Sequence, residues 1–187
     1  NCYCRMFYSC NSLVVAPKLP ATTLDTSVYS YMFYGCKNLV DAPELPATTM
    51  ALQCYSYMFY SCSSLKRAPE LPATTLREYC YSNMFAYCSS LETAPELPAE
   101  TIYLYRNCYD SMFMGCNKLT DVPKVSAGSL SIECCYRMFA DCTSLTSTPS
   151  MDIFSMDESS CAQMFTGCPN LRTINIVIYV DKFYEFS

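Results

Sequence analysis

The dipeptide Met-Phe recurs at Met6, Met32, Met58, Met84, Met112, Met138 and Met164, a period of 26 residues with one interval of 28. Each Met-Phe is followed by a Cys four residues after the Met (Cys10, Cys36, Cys62, Cys88, Cys116, Cys142, Cys168) and a Leu seven after it (Leu13, Leu39, Leu65, Leu91, Leu119, Leu145, Leu171). A fixed period of this size, carrying a periodic apolar set, describes units that cannot bury their own faces and must stack on one another. The chain is therefore expected to fold as one repeat solenoid over residues 1–187, with units starting near residues 2, 28, 54, 80, 108, 134 and 160.

The register within a unit follows from spacing. Around Met58, the residues Cys54, Tyr55, Phe59, Cys62 and Leu65 fall at offsets −4, −3, +1, +4 and +7, which at ~100° per residue share one face of a short helix. Offsets −2 and +2 point away, and there the copies vary: Ser56 and Tyr60, then Ser82 and Ala86, then Asp110 and Met114. Ser56 and Tyr60 are accordingly expected in solvent. The next stretch, Leu65 to Leu71, keeps its apolar residues three apart around Pro69. Proline removes a ladder donor, so the stretch reads as extended and polyproline-like, with at most a very short strand. Ala73, Thr74 and Thr75 then supply hydroxyls able to cap the following turn. The expected fold class is an α/β, leucine-rich-repeat-like solenoid whose units each combine a short extended segment with a short helix.

Two departures from the period carry their own expectations. Between Ile102 and Cys108 the fourth unit has two residues more than the third, and these should bulge outward as a loop. At the end, Ile174, Ile176 and Ile178 alternate as in a strand, so residues 174–187 are expected to cap the open end of the stack. Residue 1 falls inside a repeat, so the chain reads as a piece of something longer.

The fifteen cysteines fall largely into two columns, one at +4 and one at −4 (Cys2, Cys54, Cys80, Cys108, Cys134). Val28 occupies the −4 column in the second unit, as a small apolar site permits. Column neighbours in an in-register stack keep their Cβ atoms about 4.8 Å apart, beyond the roughly 3.8 Å a disulfide prefers. A buried ladder of free thiols is the expectation, and disulfides between the two columns, such as Cys62 with Cys80, stay open. No metal is expected, since there is no His and no paired Cys-x-x-Cys knuckle.

The same composition narrows function. Without histidine, without a glycine-rich phosphate loop, and with its thiols on an apolar face, the chain is expected to be no enzyme and to take no cofactor. A net charge of −5 with scattered Lys and Arg argues against nucleic acid. No apolar run is long enough for a transmembrane segment. The LPATT and LPAET stretches look like a sorting signal, but they recur internally and serve as repeat punctuation.

The run Met-Phe-x-x-Cys-x-x-Leu, followed by a proline-containing stretch and another Leu, resembles the BspA-like class of leucine-rich repeats, whose usual form is Ala-Phe-x-x-Cys-x-x-Leu. The similarity recurs along nearly the whole chain. It implies a repeat solenoid and an extracellular or cell-surface protein of a bacterium or parasite that adheres to protein or glycan ligands. Here the unit is longer than usual, and Ala-Pro-x-Leu-Pro replaces a β-rich Val-x-Ile-Pro.

Two surface stripes are candidates for binding. The first is Tyr8, Tyr34 and Tyr60 at +2, backed by Tyr31 and Tyr57, a ladder of rings able to stack on sugars or anchor a protein. Its rings could equally stack only on one another. The second is Glu44, Glu70 and Glu96, with Lys18 and Lys124 at the same position in outer units. It suits a cation or a basic partner, or simple solvation aided by Lys66 and Arg67. A structural protein that self-associates end to end into a fibre is the alternative function.

Overall fold

A computed structural model describes residues 2–98 and 101–178 and shows a stack of coils in which each Met-Phe segment is a run of tight turns. No α-helix occurs among the described residues, so the expected helix in each unit is corrected. The reason lies in the backbone. Gln53, Tyr57 and Ser61 have φ of 55°, 57° and 58°, and the same every-fourth-residue pattern recurs at Tyr79, Asn83 and Tyr87 and at Asn107, Ser111 and Gly115. A left-handed residue at every fourth position is incompatible with a right-handed helix. The inward offsets −4, −3, 0, +1 and +4 fit a period of four as well as they fit one of 3.6.

This backbone divides its donors evenly. The N–H groups of Cys54, Ser56, Met58, Tyr60 and Cys62 close turns onto the carbonyls three residues back. The alternate N–H groups, those of Gln53, Tyr55, Tyr57, Phe59 and Ser61, donate to Glu78, Cys80, Ser82, Met84 and Ala86 of the next coil at 2.8–3.2 Å. Every coil is thus both a local turn structure and a rung, which satisfies a backbone buried on both sides.

The core is a set of columns. Met58, Phe59, Cys62 and Leu65 are fully buried, as are their counterparts in the middle coils. The phenyl rings of the +1 column stack from Phe7 to Phe165 with centroids 5.5–5.7 Å apart. A second stack runs from Tyr3 through Tyr29, Tyr55 and Tyr81 to Tyr109. Each fully buried ring contributes about 1.5–3 kcal/mol. The fifteen cysteines are free thiols.

Two expectations about exposure need correction. Ser56 is buried rather than exposed, because the coils on either side cover its position, and its carbonyl accepts the Ser30 hydroxyl at 3.2 Å. Tyr60 is half-buried for the same reason, although far less covered than Phe59.

The extended segments pair at length only in the later units among the described residues. In the first units, single parallel bridges link Val15 to Asp41, Asp41 to Arg67, and Arg67 to Thr93, with a second series at Thr23, Thr49 and Thr75. Once Ser126 stands where Pro72 stood, longer pairing appears. The strands are β1 (Thr101–Leu104), β2 (Val125–Leu130), β3 (Met151–Ile153), β4 (Ser155–Met156) and β5 (Ile176–Ile178). All pair in parallel, in the order β1-β2-β3-β5 with β4 also on β2.

The loop expected between Ile102 and Cys108 is replaced by β1 at its start. Thr101 pairs with Ala127 and Leu104 with Leu130, the register counted back from the following Cys, so the two extra residues do not lie between Thr101 and Cys108. Of the stretch read as a terminal cap, Ile176–Ile178 pairs with β3, and residues 179–187 lie outside the described residues.

Candidate functional site

The tyrosines at −1 and +2 sit in the turn run, Tyr31 and Tyr57 at its left-handed corners (φ 58° and 57°). Because the coils are in register, equivalent rings land above one another. Tyr8 stacks on Tyr34 at 4.7 Å and Tyr34 on Tyr60 at 4.6 Å, with planes within 3°. Tyr31 stacks on Tyr57 at 4.7 Å, and the two columns touch at a tilt where Tyr31 meets Tyr34 and Tyr57 meets Tyr60. All five rings form one block. Tyr8 is exposed and the other four are half-buried.

Stacking closes most ring faces. Tyr34 carries a ring on each side, and Tyr31 has Tyr57 on one side and the Arg5 guanidinium 5.0 Å from its centroid on the other. Tyr87 closes the far end, edge-on to Tyr60 at 5.3 Å. The surface offered is therefore ring edges and phenol oxygens. Arg5 and Tyr87 were not legible as part of the block by the +2 spacing, though Arg5 occupies the same −1 column as Tyr31.

Three of its phenols hold their protons more tightly than usual. Burial, with the neighbouring phenols, raises the Tyr34 and Tyr57 hydroxyls above their ordinary range and pushes Tyr60 up to about 12. Each therefore keeps its proton and can both donate and accept. Beyond Tyr60 the +2 column turns from aromatic to aliphatic, with Ala86, Met114 and Ala140 buried in a patch against Tyr60, so the block has a defined end.

The second stripe is arranged differently. Glu44, Glu70 and Glu96 are all exposed, and among the described residues no ion pair joins them to Lys66 or Arg67. They border shallow proline-lined grooves; one of about 420 Å³ lies between Pro43, Glu44, Pro46, Pro69, Glu70 and Pro72. Among the described residues no group of three or more Cys, Asp or Glu could hold a metal ion. No described helix is long and apolar enough to cross a membrane.

The model of a family described as BspA type leucine rich repeat region matches the chain in 6 copies, over residues 3–123 and 82–187. No curated protein and no solved structure matches the chain.

Proposed function

The chain belongs to the BspA-type leucine-rich repeat family, and from that premise we propose that it is a non-enzymatic, extracellular or cell-surface protein that binds a protein ligand through the tyrosine block. The observation that carries this reading is the block itself: Tyr8, Tyr31, Tyr34, Tyr57 and Tyr60 held as one contiguous set of ring edges and phenol hydroxyls. Tyrosine anchors protein interfaces because it offers large rigid area with a polar tip. Self-stacking favours a protein over a glycan, because sugars recognised by aromatics need an open ring face. Among the described residues, Tyr8 is stacked on one side only.

A binding array of glycans and matrix proteins, probed with the chain and with the Tyr34→Ser/Tyr60→Ser double variant, tests the proposal. A protein hit should weaken roughly 30-fold or more in the variant, about 2 kcal/mol. A hit of unchanged affinity removes the block from the interface, and a glycan hit lost in the variant reassigns the ligand class.

A further inference from the structure

The second and third units each carry two prolines in the extended segment, and a proline has no N–H to give to a neighbouring coil. Parallel bridges join the two units at Asp41 to Arg67 and again at Thr49 to Thr75. Between those bridges no backbone hydrogen bond links residues 42–47 to residues 68–73, and the N–H groups of Glu44 and Glu70 have no backbone partner. The groove of about 420 Å³ lies in this gap, walled by Pro43, Pro46, Pro69 and Pro72. A second groove, of about 260 Å³, shares Pro43, Glu44 and Pro46 and continues along the stack to Pro17 and Pro20. The larger one has a further coil on either side, so it is a lateral feature, independent of how the stack ends.

Charge says what the groove takes. Leu45 and Leu71, between the prolines, are buried in the core, which leaves Pro46, Pro72, Glu44 and Glu70 exposed along the groove. Glu96 is next in the row, and neighbours in it stand one coil spacing apart, about 4.8 Å. Like charges this close repel even in water. Among the described residues no cation pairs with any of the three, and Lys124, at the same position in the fifth unit, is engaged by Asp152 at 3.8 Å. A fitting ligand brings positive charge, covers proline rings and offers backbone acceptors to the Glu44 and Glu70 N–H groups. An extended polypeptide with lysine or arginine does all three, its aliphatic stems on the rings and its cations at the carboxylates. A small cation meets only the first need.

We propose that the proline groove binds an extended segment of a partner protein carrying lysine or arginine, with a cation set between Glu44 and Glu70. The groove belongs to the extended segments and the tyrosine block to the turn runs, so this site does not depend on the role of the block.

Fluorescence anisotropy of a labelled dodecapeptide of alternating arginine and glycine, titrated with the chain, tests this. The parent should bind saturably, and more weakly as salt rises. Glu44→Gln/Glu70→Gln should weaken binding roughly tenfold. Glu78→Gln/Glu92→Gln removes the same charge from exposed positions outside the groove and should change it by less than about twofold. Pro46→Ser/Pro72→Ser, at unchanged charge, should weaken it about threefold; Ser126 holds that place in the fifth unit, so the stack accepts serine there. Tyr34→Ser/Tyr60→Ser should bind as the parent does. A parent that does not bind overturns the proposal. So do equal losses from the two glutamine pairs, which would mean attraction to net charge alone, and an unaltered affinity in the proline variant. A loss in the tyrosine variant does the same, by moving the peptide to the block. Circular dichroism checks the fold of each variant, and should the proline variant melt early, the two glutamine pairs decide.

Discussion

The thiol of Cys62 donates to the carbonyl oxygen of Phe33, one coil back, at 3.1 Å. That oxygen already accepts the Cys36 N–H at 3.0 Å, so the thiol takes its second lone pair. The bond recurs at Cys36, Cys88, Cys116, Cys142 and Cys168, at 3.0–3.2 Å. Cysteine suits this place because it is small and apolar in body yet carries a weak donor. The −4 column has no such regular duty, and there valine is accepted at residue 28.

Replacing Cys88 by alanine should cost about 1–3 kcal/mol, from a lost donor and a small cavity in the densest part of the stack. The same change at half-buried Cys168 should cost less than half as much. Urea unfolding of the two variants under reducing conditions checks the order; equal losses would mean that the thiol bond is incidental.

Alkali should unfold the chain earlier than its carboxylates or lysines would suggest. Burial pushes the Cys54 and Cys142 thiols from their ordinary 9.0 up to about 12. Between those values the unfolded chain has lost protons that the folded chain keeps. The contribution is therefore whole below about pH 9 and is lost as pH rises toward 12, at up to about 1.4 kcal/mol per pH unit for each thiol. Melting temperature should be level just below about pH 9 and fall above it; a level profile to about pH 11 would contradict the assignment.

Two glycines should differ in their tolerance of alanine. Both lie in the left-handed region, Gly35 at φ +70° and Gly115 at +72°. A Cβ at Gly35 would come nearest the Ser9 Oγ, at 3.1 Å, whereas at Gly115 it would lie 2.6 Å from the Tyr87 ring. Gly35→Ala should cost about 1 kcal/mol from backbone strain, and Gly115→Ala roughly 2–3 kcal/mol. Denaturation midpoints at matched slopes decide it.

The rings of the block should be energetically coupled. A double-mutant cycle of Tyr34→Ala and Tyr60→Ala should return about 0.5–1.5 kcal/mol of interaction. In a phenolate absorbance titration, Tyr60 should ionise near 12 rather than at 10.0. A coupling near zero would show that the stack is geometric only.

Much of this was readable in the spacing alone. The burial of Met58, Phe59, Cys62 and Leu65, and the in-register stacking of Tyr8, Tyr34 and Tyr60, follow from a fixed period. The helix did not, because inward pairs such as Cys54-Tyr55 and Met58-Phe59 repeat every four residues, which a helical face also accommodates. The discriminating signal was sparse: Gly35, Gly115 and Gly167 all fall just before the +4 Cys, at a left-handed corner. Ser56 misled because variation among copies marks solvent only where adjacent coils leave a gap. Of the tyrosine block, spacing gave the members but not the closure of their faces, which depends on ring orientation.

The alternation of N–H groups between local turns and the next coil has a mechanical side. Among the described residues no hydrogen bond ties a coil to any but its neighbours, so tension applied along the stack loads one rung at a time rather than the whole stack. Each coil peeled away would release about 90 Å of extended chain from a layer about 4.8 Å thick. Under load the molecule would then lengthen by successive near-identical steps, a shock absorber graded by the number of its coils, and re-form from the intact end when the load is removed.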